Sequence, residues 1–507
     1  MTKERLFDLL ANGQSDAPAL SAPGRAALSF AGLRALLADT VSRLNALGLG
    51  PNDRVAIVLN NGPEMAACFV ACACGVASAP LNPGYRSDEF EFYLNDLQAR
   101  ALIVEAGSNS PAIAVAEKLG VAILRLVVDA AAPAGAFSLL SQLPAKPLAA
   151  PIWAKPDDVS MVLHTSGTTS RPKIVPLSQA NLLASARHIL RSLQFTSSDC
   201  GLNVMPLFHI HGLIAGVLAP LAAGSQVFCT PGFNALKFFA WMEEAKPTWY
   251  TAVPTMHQAI VARARGHAEL IARQPLRFMR SSSSSMPPQV ITELEAAFGA
   301  PLIEAYGMTE AAHQMASNPL PPGLRKPGTV GLAAGPEIAI MAADGQLLAA
   351  GGIGEIVIRG PNVTAGYENN PAANAEGWRD GWFRTGDQGQ LDADSYLSIT
   401  GRLKEIINRG GEKISPREVD EVIMDHPAVQ QVVTFGMPHA KLGEDVAAAV
   451  VLREGASLDE AGLRAFVAAR LADFKVPRRI LFLAEIPKGA TGKLQRIGLA
   501  EKLGLGA

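Results

Sequence analysis

The sequence has few cysteines, few aromatic residues and no long apolar run. Only 5 of its 507 residues are cysteines, which is too few for a disulfide-rich scaffold of this length. Three of them, Cys68, Cys72 and Cys74, lie close together, but no fourth ligand follows at metal-binding spacing. We therefore expect small buried residues on a packed helix rather than a metal site. A low cysteine count is also typical of a reducing compartment.

Neither sign of charge dominates, because 44 basic and 46 acidic residues leave a formal net charge of −2. No block of lysine and arginine stands out, so we expect no nucleic-acid partner. The most apolar segment, residues 65–79, is too short to span a bilayer and predicts one buried helix. The N-terminus lacks a signal-like apolar segment, and the C-terminus carries no targeting or lipidation motif. We expect a cytoplasmic protein without membrane association.

The first three hundred residues alternate between strand-like and helix-like segments. Residues 54–59 (RVAIVL) and 101–105 (ALIVE) are short apolar runs that predict strands, and residues 90–97 between them predict a helix. Such alternation is typical of βαβ units in a mostly parallel sheet. A second stretch of the same kind covers residues 159–300. Between residues 328 and 397, short strands separated by Gly, Asn and Asp turns predict a β-rich subdomain.

The last hundred residues predict a small α+β domain, with helices and strands in alternation after Gly401. A chain of this length is expected to fold as two or three units. We place the boundary at residues 401–404. This gives an N-terminal domain over residues 1–400 and a C-terminal lid domain over residues 401–507.

One loop is suited to binding phosphate. The segment HTSGTTSRPK (residues 164–173) follows an apolar strand and combines a glycine, several hydroxyls and a lysine. Glycine allows close approach of the backbone to an anion, and hydroxyl, amide and ammonium groups can contact phosphate oxygens. The loop is not a Walker A motif, whose spacing is absent. Taken alone, it could equally be a flexible surface turn.

Six further motifs follow it in a fixed order. They are PLFHIHG (206–212), EAYGMTE (304–310), FRTGD (383–387), GRLK (401–404), GGEKISP (410–416) and TGKL (491–494). Together they resemble the acyl-adenylate-forming superfamily of acyl-CoA synthetases, luciferases and peptide-synthetase adenylation domains. The resemblance covers essentially the whole chain. It implies an α/β fold with a large N-terminal domain of two sheet-and-helix halves plus a β-rich subdomain, and a small mobile α+β C-terminal domain.

The same resemblance implies ATP, Mg²⁺ and CoA as the cofactors and co-substrates, and it assigns a nucleotide site. The implied residues are Thr165, Ser166, Gly167, Thr168, Thr169 and Lys173 for the triphosphate, Glu304, Ala305 and Tyr306 for the adenine, Thr309 for the α-phosphate, and Asp387 and Arg402 for the ribose. Ser170 replaces a glycine that is usual in the family, a change we expect to be tolerated. Glu310 would hold Mg²⁺, since a carboxylate together with phosphate oxygens is its usual coordination.

Catalysis is assigned to Lys493 together with Thr309 and Glu310. A lysine near a C-terminus is usually just solvated, but the motif around Lys493 and the intact upstream set outweigh that reading. Lys404 matches the hinge position between the two domains. The resemblance also implies that Gly410 and Gly411 begin a loop that approaches the pantetheine arm of CoA, and glycine suits such a close approach.

The acid substrate is expected to be small and doubly charged, with oxalate as the first expectation. Residues 304–331 are similar to the oxalate–CoA ligase branch of the family, and Arg280 with the five serines 281–285 would make an unusually polar pocket. A buried second carboxylate needs such donors. We favour His209, Ser283 and His313 as its contacts.

Purely structural roles for these residues remain open. The serines could simply form a turn, His209 could be an aromatic gate, and His211 could be a packed core residue. The alternatives for the whole chain are a fatty-acid or aryl-acid CoA ligase, an adenylation enzyme that feeds a separate carrier protein, a luciferase-like oxygenase, and a non-catalytic nucleotide-binding regulator. The sequence does not indicate an oligomeric state.

Overall fold

A computed structural model describes residues 4–146, 148, 150–165, 172–487, 494 and 496–506. The strands in chain order are β1 (Pro18–Ala22), β2 (Arg25–Ser29), β3 (Arg54–Val58), β4 (Ala77–Pro80), β5 (Ala101–Glu105), β6 (Ala122–Val127), β7 (Ser138–Leu140), β8 (Val159–Thr165), β9 (Lys173–Ser178), β10 (Cys200–Asn203), β11 (Gln226–Cys229), β12 (Trp249–Ala252), β13 (Phe278–Ser281), β14 (Leu302–Met308), β15 (His313–Ser317), β16 (Leu332–Ala333), β17 (Glu337–Met341), β18 (Gly354–Arg359), β19 (Trp378–Arg379), β20 (Trp382–Leu391), β21 (Leu397–Arg402), β22 (Ile407–Arg409), β23 (Glu412–Ile414), β24 (Val429–His439), β25 (Gly443–Leu452) and β26 (Arg479–Phe482).

The α-helices in chain order are α1 (Phe30–Ala46), α2 (Pro63–Gly75), α3 (Ser87–Asp96), α4 (Pro111–Leu119), α5 (Gln179–Ser192), α6 (Ala219–Ala222), α7 (Phe238–Ala245), α8 (Pro254–Ala264), α9 (Ala268–Arg273), α10 (Pro288–Phe298), α11 (Pro371–Gly377), α12 (Pro416–Met424), α13 (Glu460–Ala468) and α14 (Leu499–Lys502). Short 3₁₀ segments cover Leu6–Asn12, Arg265–His267, Thr309–Ala311 and Asp473–Lys475, and a π-helix covers His211–Leu218. Among the described residues, no helix combines the length and apolar character needed to cross a bilayer.

Two large sheets build the chain up to residue 333. One runs in the order β7-β6-β5-β3-β4-β8-β9 and the other in the order β16-β15-β14-β13-β12-β10-β11-β1-β2. Their central strands are parallel, and antiparallel strands lie at the edges. The predicted α/β class, with two sheet-and-helix halves, is confirmed.

Helix α2 lies between these two sheets. It contacts β4 and β8 of the first sheet and β1 and β11 of the second. A helix covered on both sides must be apolar all round, and nearly all of its residues are buried, including Cys68, Cys72 and Cys74. The expectation of small buried cysteines is confirmed.

The prediction of one helix over residues 65–79 is wrong in its second part. Helix α2 ends at Gly75, and the chain continues as β4. A Cβ on Gly75 would lie 2.6 Å from a methyl carbon of Val41, so this close approach to α1 requires glycine. An apolar run cannot by itself separate a buried helix from a buried parallel strand.

The β-rich subdomain and the C-terminal unit complete the chain. Strands β17, β18, β20 and β19 form one antiparallel sheet, to which β21 is added along β20. Strands β23, β22, β25 and β24 form the last sheet, with β26 along β25. Helices α12 and α13 pack in the core of that unit. The segment from Leu403 to Ile406 joins the two sheets, and the boundary at residues 401–404 stays a prediction.

Candidate active site

The motifs of the second large sheet meet at one edge of it. Strands β10, β12, β13 and β14 are parallel neighbours, so their carboxyl ends lie side by side. The PLFHIHG segment follows β10, the serine run follows β13, and Thr309 and Glu310 follow β14. Ligand sites of open α/β sheets form at this edge.

The base of the phosphate loop is a β-hairpin stem. Thr165 ends β8 and pairs with Lys173 at the start of β9. Both side chains are half-buried. The stem therefore brings the first hydroxyl and the lysine of the motif to the same end of the sheet. The loop residues Ser166, Gly167, Thr168 and Thr169 lie outside the described residues.

Tyr367 connects this lysine to the predicted magnesium ligand. The Nζ atom of Lys173 lies 4.4 Å from the centroid of the Tyr367 ring. The Tyr367 hydroxyl donates a hydrogen bond of 2.8 Å to Oε1 of Glu310. Burial raises the pKa of Glu310 above its usual range, and the Tyr367 hydrogen bond acts against that rise. Tyr367 was not among the residues predicted from the sequence.

The predicted ribose carboxylate is held from two sides. Asp387 pairs with Arg402 across β20 and β21, and Nε of Arg402 donates to Oδ1 of Asp387 over 3.0 Å. The hydroxyl of Tyr306 donates to Oδ2 of the same carboxylate. The pairing with Asp387 raises the pKa of Arg402, so this guanidinium is charged at neutral pH. Asp387, Tyr306 and Arg402 are brought together, as one nucleotide-binding surface would require.

Glu304 and Ala305 lie on β14, directly before Tyr306. Both are buried. The backbone N–H of Gly328 donates to Oε2 of Glu304 over 3.2 Å. Burial raises the pKa of Glu304 to about 8, so this carboxyl is mostly protonated at neutral pH and can also donate a hydrogen bond.

A buried polar cluster surrounds Arg280 on β13. The guanidinium has no exposed surface. It contacts Nε2 of His211 at 3.2 Å, Nε2 of His313 at 3.1 Å, Oε1 of Gln314 at 3.3 Å and Oγ1 of Thr251 at 3.5 Å. Burial lowers the pKa of Arg280 to about 9, which leaves the group charged at neutral pH. Within the described ranges, no carboxylate forms an ion pair with it, and its Nε atom has no hydrogen-bond partner.

The two imidazoles of the cluster are stacked, with ring centroids 4.9 Å apart and planes 16° from parallel. Nδ1 of His211 lies 3.0 Å from Oγ of Ser283. His313 pairs with Met308 across β14 and β15, four residues after Thr309. A Cβ on Gly307 would lie 1.9 Å from the backbone oxygen of His313, so glycine is required for this approach.

Two of the three predicted substrate contacts, Ser283 and His313, therefore belong to one cluster. The third, His209, is half-buried and packs its ring against Phe208 at 4.5 Å. His211, which could have been a packed core residue, occupies the position between Ser283 and Arg280 instead. Sequence reasoning noted Arg280 only as part of a polar stretch. The signal that could have singled it out is one arginine inside a short strand, FMRS, that is otherwise suited to full burial.

The predicted hinge and CoA residues lie on the C-terminal side. Lys404 is exposed in the turn between β21 and β22. Gly410 and Gly411 form the two-residue turn between β22 and β23, with φ of +59° and +100°. Positive φ at both central residues is what a tight hairpin turn of this kind needs. A Cβ on Gly411 would meet nothing within 4 Å, so its surroundings are open.

A cleft lies between the two units, beside the end of the serine run that follows β13. Ser284 and Ser285 line it from one side, and Leu494 and Arg496 line it from the other. Arg496 is ion-paired with Asp420 and lies 3.4 Å from Glu405. These contacts hold Arg496, which lies three residues after the predicted catalytic lysine in the sequence. Lys493 itself lies outside the described residues.

Comparisons with known proteins agree with this arrangement. A family model described as AMP-binding enzyme matches residues 7–368, and a model described as AMP-binding enzyme C-terminal domain matches residues 418–493. An oxalate–CoA ligase of Arabidopsis thaliana is 45% identical over 98% of this chain and 97% of its own length. An oxalate–CoA ligase of Saccharomyces cerevisiae is 40% identical over 89% of this chain and 86% of its own length.

Among solved structures, ATP-bound MatB from Rhodopseudomonas palustris superimposes with a TM-score of 0.89 at 30% identity, covering 99% of both chains. Both units of the fold are therefore matched, together with the order in which they follow each other. The chain belongs to the AMP-binding enzyme family of AMP-forming acyl-CoA synthetases.

Proposed function

We propose that this enzyme is an oxalate–CoA ligase that converts oxalate, ATP and CoA to oxalyl-CoA, AMP and diphosphate. Membership of the family gives the reaction type but does not by itself identify the acid. Two relatives whose names specify oxalate are similar over nearly the whole chain.

The observation that carries the choice of acid is the buried guanidinium of Arg280. An enclosed charge without a counter-ion is costly, and the described residues supply no carboxylate to pair with it. A doubly charged acid at this end of the sheet would bring the missing negative charge. A long apolar acid would instead leave the cluster of Arg280, His211, His313 and Ser283 without an anion.

In the first half-reaction, one carboxylate oxygen of the acid attacks the α-phosphorus of ATP and diphosphate leaves. A free carboxylate is a poor acyl donor, and the mixed anhydride with AMP has a much better leaving group. Negative charge builds on the α-phosphate oxygens, so the reaction needs positioned donors and cations. We assign these roles to Thr309, Lys173 and Lys493. Asp387 would accept the two ribose hydroxyls, held in place by Tyr306 and Arg402.

Magnesium fits Glu310 in this scheme. Among the described residues, no group of three or more potential ligand side chains is present. Mg²⁺ is usually bound by one or two carboxylates, substrate phosphates and water, so a single buried carboxylate beside the phosphate loop suits it. When bound, the ion would neutralise charge on the phosphates. Tyr367 contacts both the carboxylate of Glu310 and the ammonium of Lys173, and so would hold the two groups in fixed relative positions.

In the second half-reaction, the CoA sulfur attacks the acyl carbon and AMP leaves. The thiol needs its own route to that carbon, which is why a moving lid is expected. We assign the pivot to Lys404 and the contact with the pantetheine arm to Gly410 and Gly411. A cytoplasmic location suits the chain, because all five cysteines are free thiols and buried.

The experiment measures the two half-reactions separately. Purified enzyme with ATP and Mg²⁺ should release diphosphate only when oxalate is added. Addition of CoA should then cause release of AMP and formation of oxalyl-CoA, which is identified by its mass. Oxalate-dependent diphosphate release that CoA does not advance would favour an enzyme that feeds a carrier protein. Absence of oxalate-dependent diphosphate release would contradict the proposal.

A further inference from the structure

The Arg280 cluster contains a constraint on where two protons can lie. A guanidinium has only N–H donors and accepts no hydrogen bond. Its two terminal nitrogens face Nε2 of His211 at 3.2 Å and Nε2 of His313 at 3.1 Å. Both Nε2 atoms must then present a lone pair, because an N–H there would oppose an N–H of Arg280. Each imidazole is neutral and carries its proton on Nδ1.

The direction of the next hydrogen bond follows from this proton position. Nδ1 of His211 lies 3.0 Å from the Ser283 hydroxyl, so the imidazole donates and the Ser283 oxygen accepts. The Ser283 hydrogen is then left for another acceptor, and the described residues provide none. Ser283 has φ of +77°, a strained value for a residue with a side chain, and it is half-buried whereas Arg280 is fully buried.

The opposite arrangement would reverse the polarity. If His211 carried its proton on Nε2, it would donate to Oγ1 of Thr251, which lies 2.7 Å away. Its Nδ1 would accept from Ser283, and the hydroxyl would turn only lone pairs towards a bound acid. Arg280 disfavours this arrangement, because its Nη1 N–H, 3.2 Å from Nε2 of His211, would then oppose the imidazole N–H.

We propose that Arg280 is a positioning residue that sets the tautomer of His211 and His313, so that the chain from Arg280 through His211 to Ser283 ends in a hydrogen-bond donor aimed at the second carboxylate of the substrate. The assignment of a substrate carboxylate rests on the proposed function. The tautomer assignment does not, since it follows from the contacts within the protein.

The tautomers can be read directly from the free enzyme. The chain has 9 histidines, so ¹⁵N-histidine labelling gives a small set of imidazole signals, and His211→Asn and His313→Asn identify two of them. We expect both rings to be neutral and protonated on Nδ1 in the absence of any substrate. Protonation of either ring on Nε2 would overturn the proposal, whichever acid the enzyme uses.

Arg280→Met tests the link from tautomer to substrate. It removes the donors and keeps an apolar chain of similar length. We expect the His211 signal to shift towards the Nε2-protonated form and the KM for oxalate to rise roughly 10- to 100-fold, the range for a lost hydrogen bond to a charged group. The KM for ATP should change less than about twofold.

Two further variants separate positioning from simple loss of structure. Arg277→Met removes a guanidinium just before the same strand, where Arg277 pairs with Asp199 over 3.0 Å, and should lower the melting temperature without changing the KM for oxalate. Arg280→Lys keeps the charge but offers a single nitrogen. It should keep the wild-type tautomer of one histidine only, and its KM for oxalate should lie between the values of the wild type and Arg280→Met. An Arg280→Met enzyme with unchanged tautomers, or with KM values for ATP and oxalate raised equally, would contradict the proposal.

Discussion

Individual side chains in this site act largely by holding other side chains in place. Tyr367 touches Lys173 with its ring and Glu310 with its hydroxyl, so it links the phosphate loop to the carboxylate proposed to bind the metal. Tyr306 has the same relation to Asp387. Neither tyrosine needs to ionise, and burial raises the pKa of both phenols, which keeps their hydroxyl donors intact at neutral pH.

Tyr367→Phe should therefore damage adenylation through Glu310 while leaving Lys173 in place. The aromatic face that contacts the ammonium of Lys173 is retained, and only the hydroxyl donor is lost. We expect the rate of diphosphate release to fall about tenfold, in line with one hydrogen bond to a charged group. The assay is diphosphate release across a range of Mg²⁺ concentrations. If the variant has the wild-type rate and the wild-type Mg²⁺ dependence, Tyr367 does not position Glu310.

Glu304 predicts a specific pH dependence of stability. Its pKa is about 8 in the folded protein, against an ordinary value of 4.5. Between these two pH values the folded chain holds a proton that the unfolded chain releases, so the free energy of unfolding falls as pH rises. The loss is a few kcal/mol at most, since one pKa unit corresponds to about 1.4 kcal/mol. Glu304→Gln removes this loss.

The measurement is the melting temperature of wild type and Glu304→Gln at pH 5, 6.5 and 8. The melting temperature of Glu304→Gln, relative to that of the wild type, should increase steadily as pH rises. Glu337→Gln is the matched control, because Glu337 is exposed and its pKa is lowered by the Arg359 hydrogen bond, so its titration lies below this window. Parallel curves for wild type and Glu304→Gln would show that Glu304 is ionised in the folded protein throughout.

Among the secondary-structure elements, the turn after β21 lies between the β-rich sheet and the C-terminal sheet. If one active site serves both half-reactions, these two sheets must move relative to one another. Arg402 belongs to β21 and binds Asp387, whereas Glu405 lies near Arg496 of the C-terminal unit. Between them, Lys404 is exposed. A rotation about this residue would keep the ribose contact and carry the C-terminal unit to a new position.

Lys404→Pro should block that rotation. Proline fixes φ and removes the backbone N–H, so the turn cannot adopt two conformations. We expect oxalate-dependent diphosphate release to persist and formation of the CoA thioester to fall by at least about tenfold. Lys404→Ala removes the side chain without restricting the backbone and should retain both half-reactions. Wild-type rates of both for Lys404→Pro would mean that the hinge lies elsewhere.

Local sequence signals predicted the fold class and several individual elements, and tertiary contacts account for part of what was missed. The Gly410-Gly411 turn and the strand before the phosphate loop follow from residue types that stand next to each other. The end of α2 at Gly75 depends on Val41, which lies on another helix. Likewise, Arg280 meets His211 and His313 at separations of 69 and 33 residues, and Tyr367 meets Glu310 at 57. Sequence motifs identify the residues that take part in such contacts, but they do not show which residue contacts which.

In the proposed function, both large sheets and the C-terminal unit contribute to one site. The first sheet supplies Thr165 and Lys173, and the second supplies the Arg280 cluster and Glu310. The cleft between the units has Ser284 and Ser285 on one side and Leu494 and Arg496 on the other. The acid would therefore bind where the second sheet faces the C-terminal unit, which carries the proposed catalytic lysine.

Selection of a small doubly charged acid is the property that distinguishes the proposed function from that of a fatty-acid or aryl-acid ligase. The most direct measurement is kcat/KM for CoA-thioester formation with oxalate, malonate, acetate, octanoate and 4-coumarate under identical ATP, Mg²⁺ and CoA concentrations. We predict that oxalate has the highest kcat/KM and that the value for acetate, which lacks the second carboxylate, falls far below it. A higher kcat/KM for octanoate or 4-coumarate than for oxalate would contradict the proposed function and identify a fatty-acid or aryl-acid ligase.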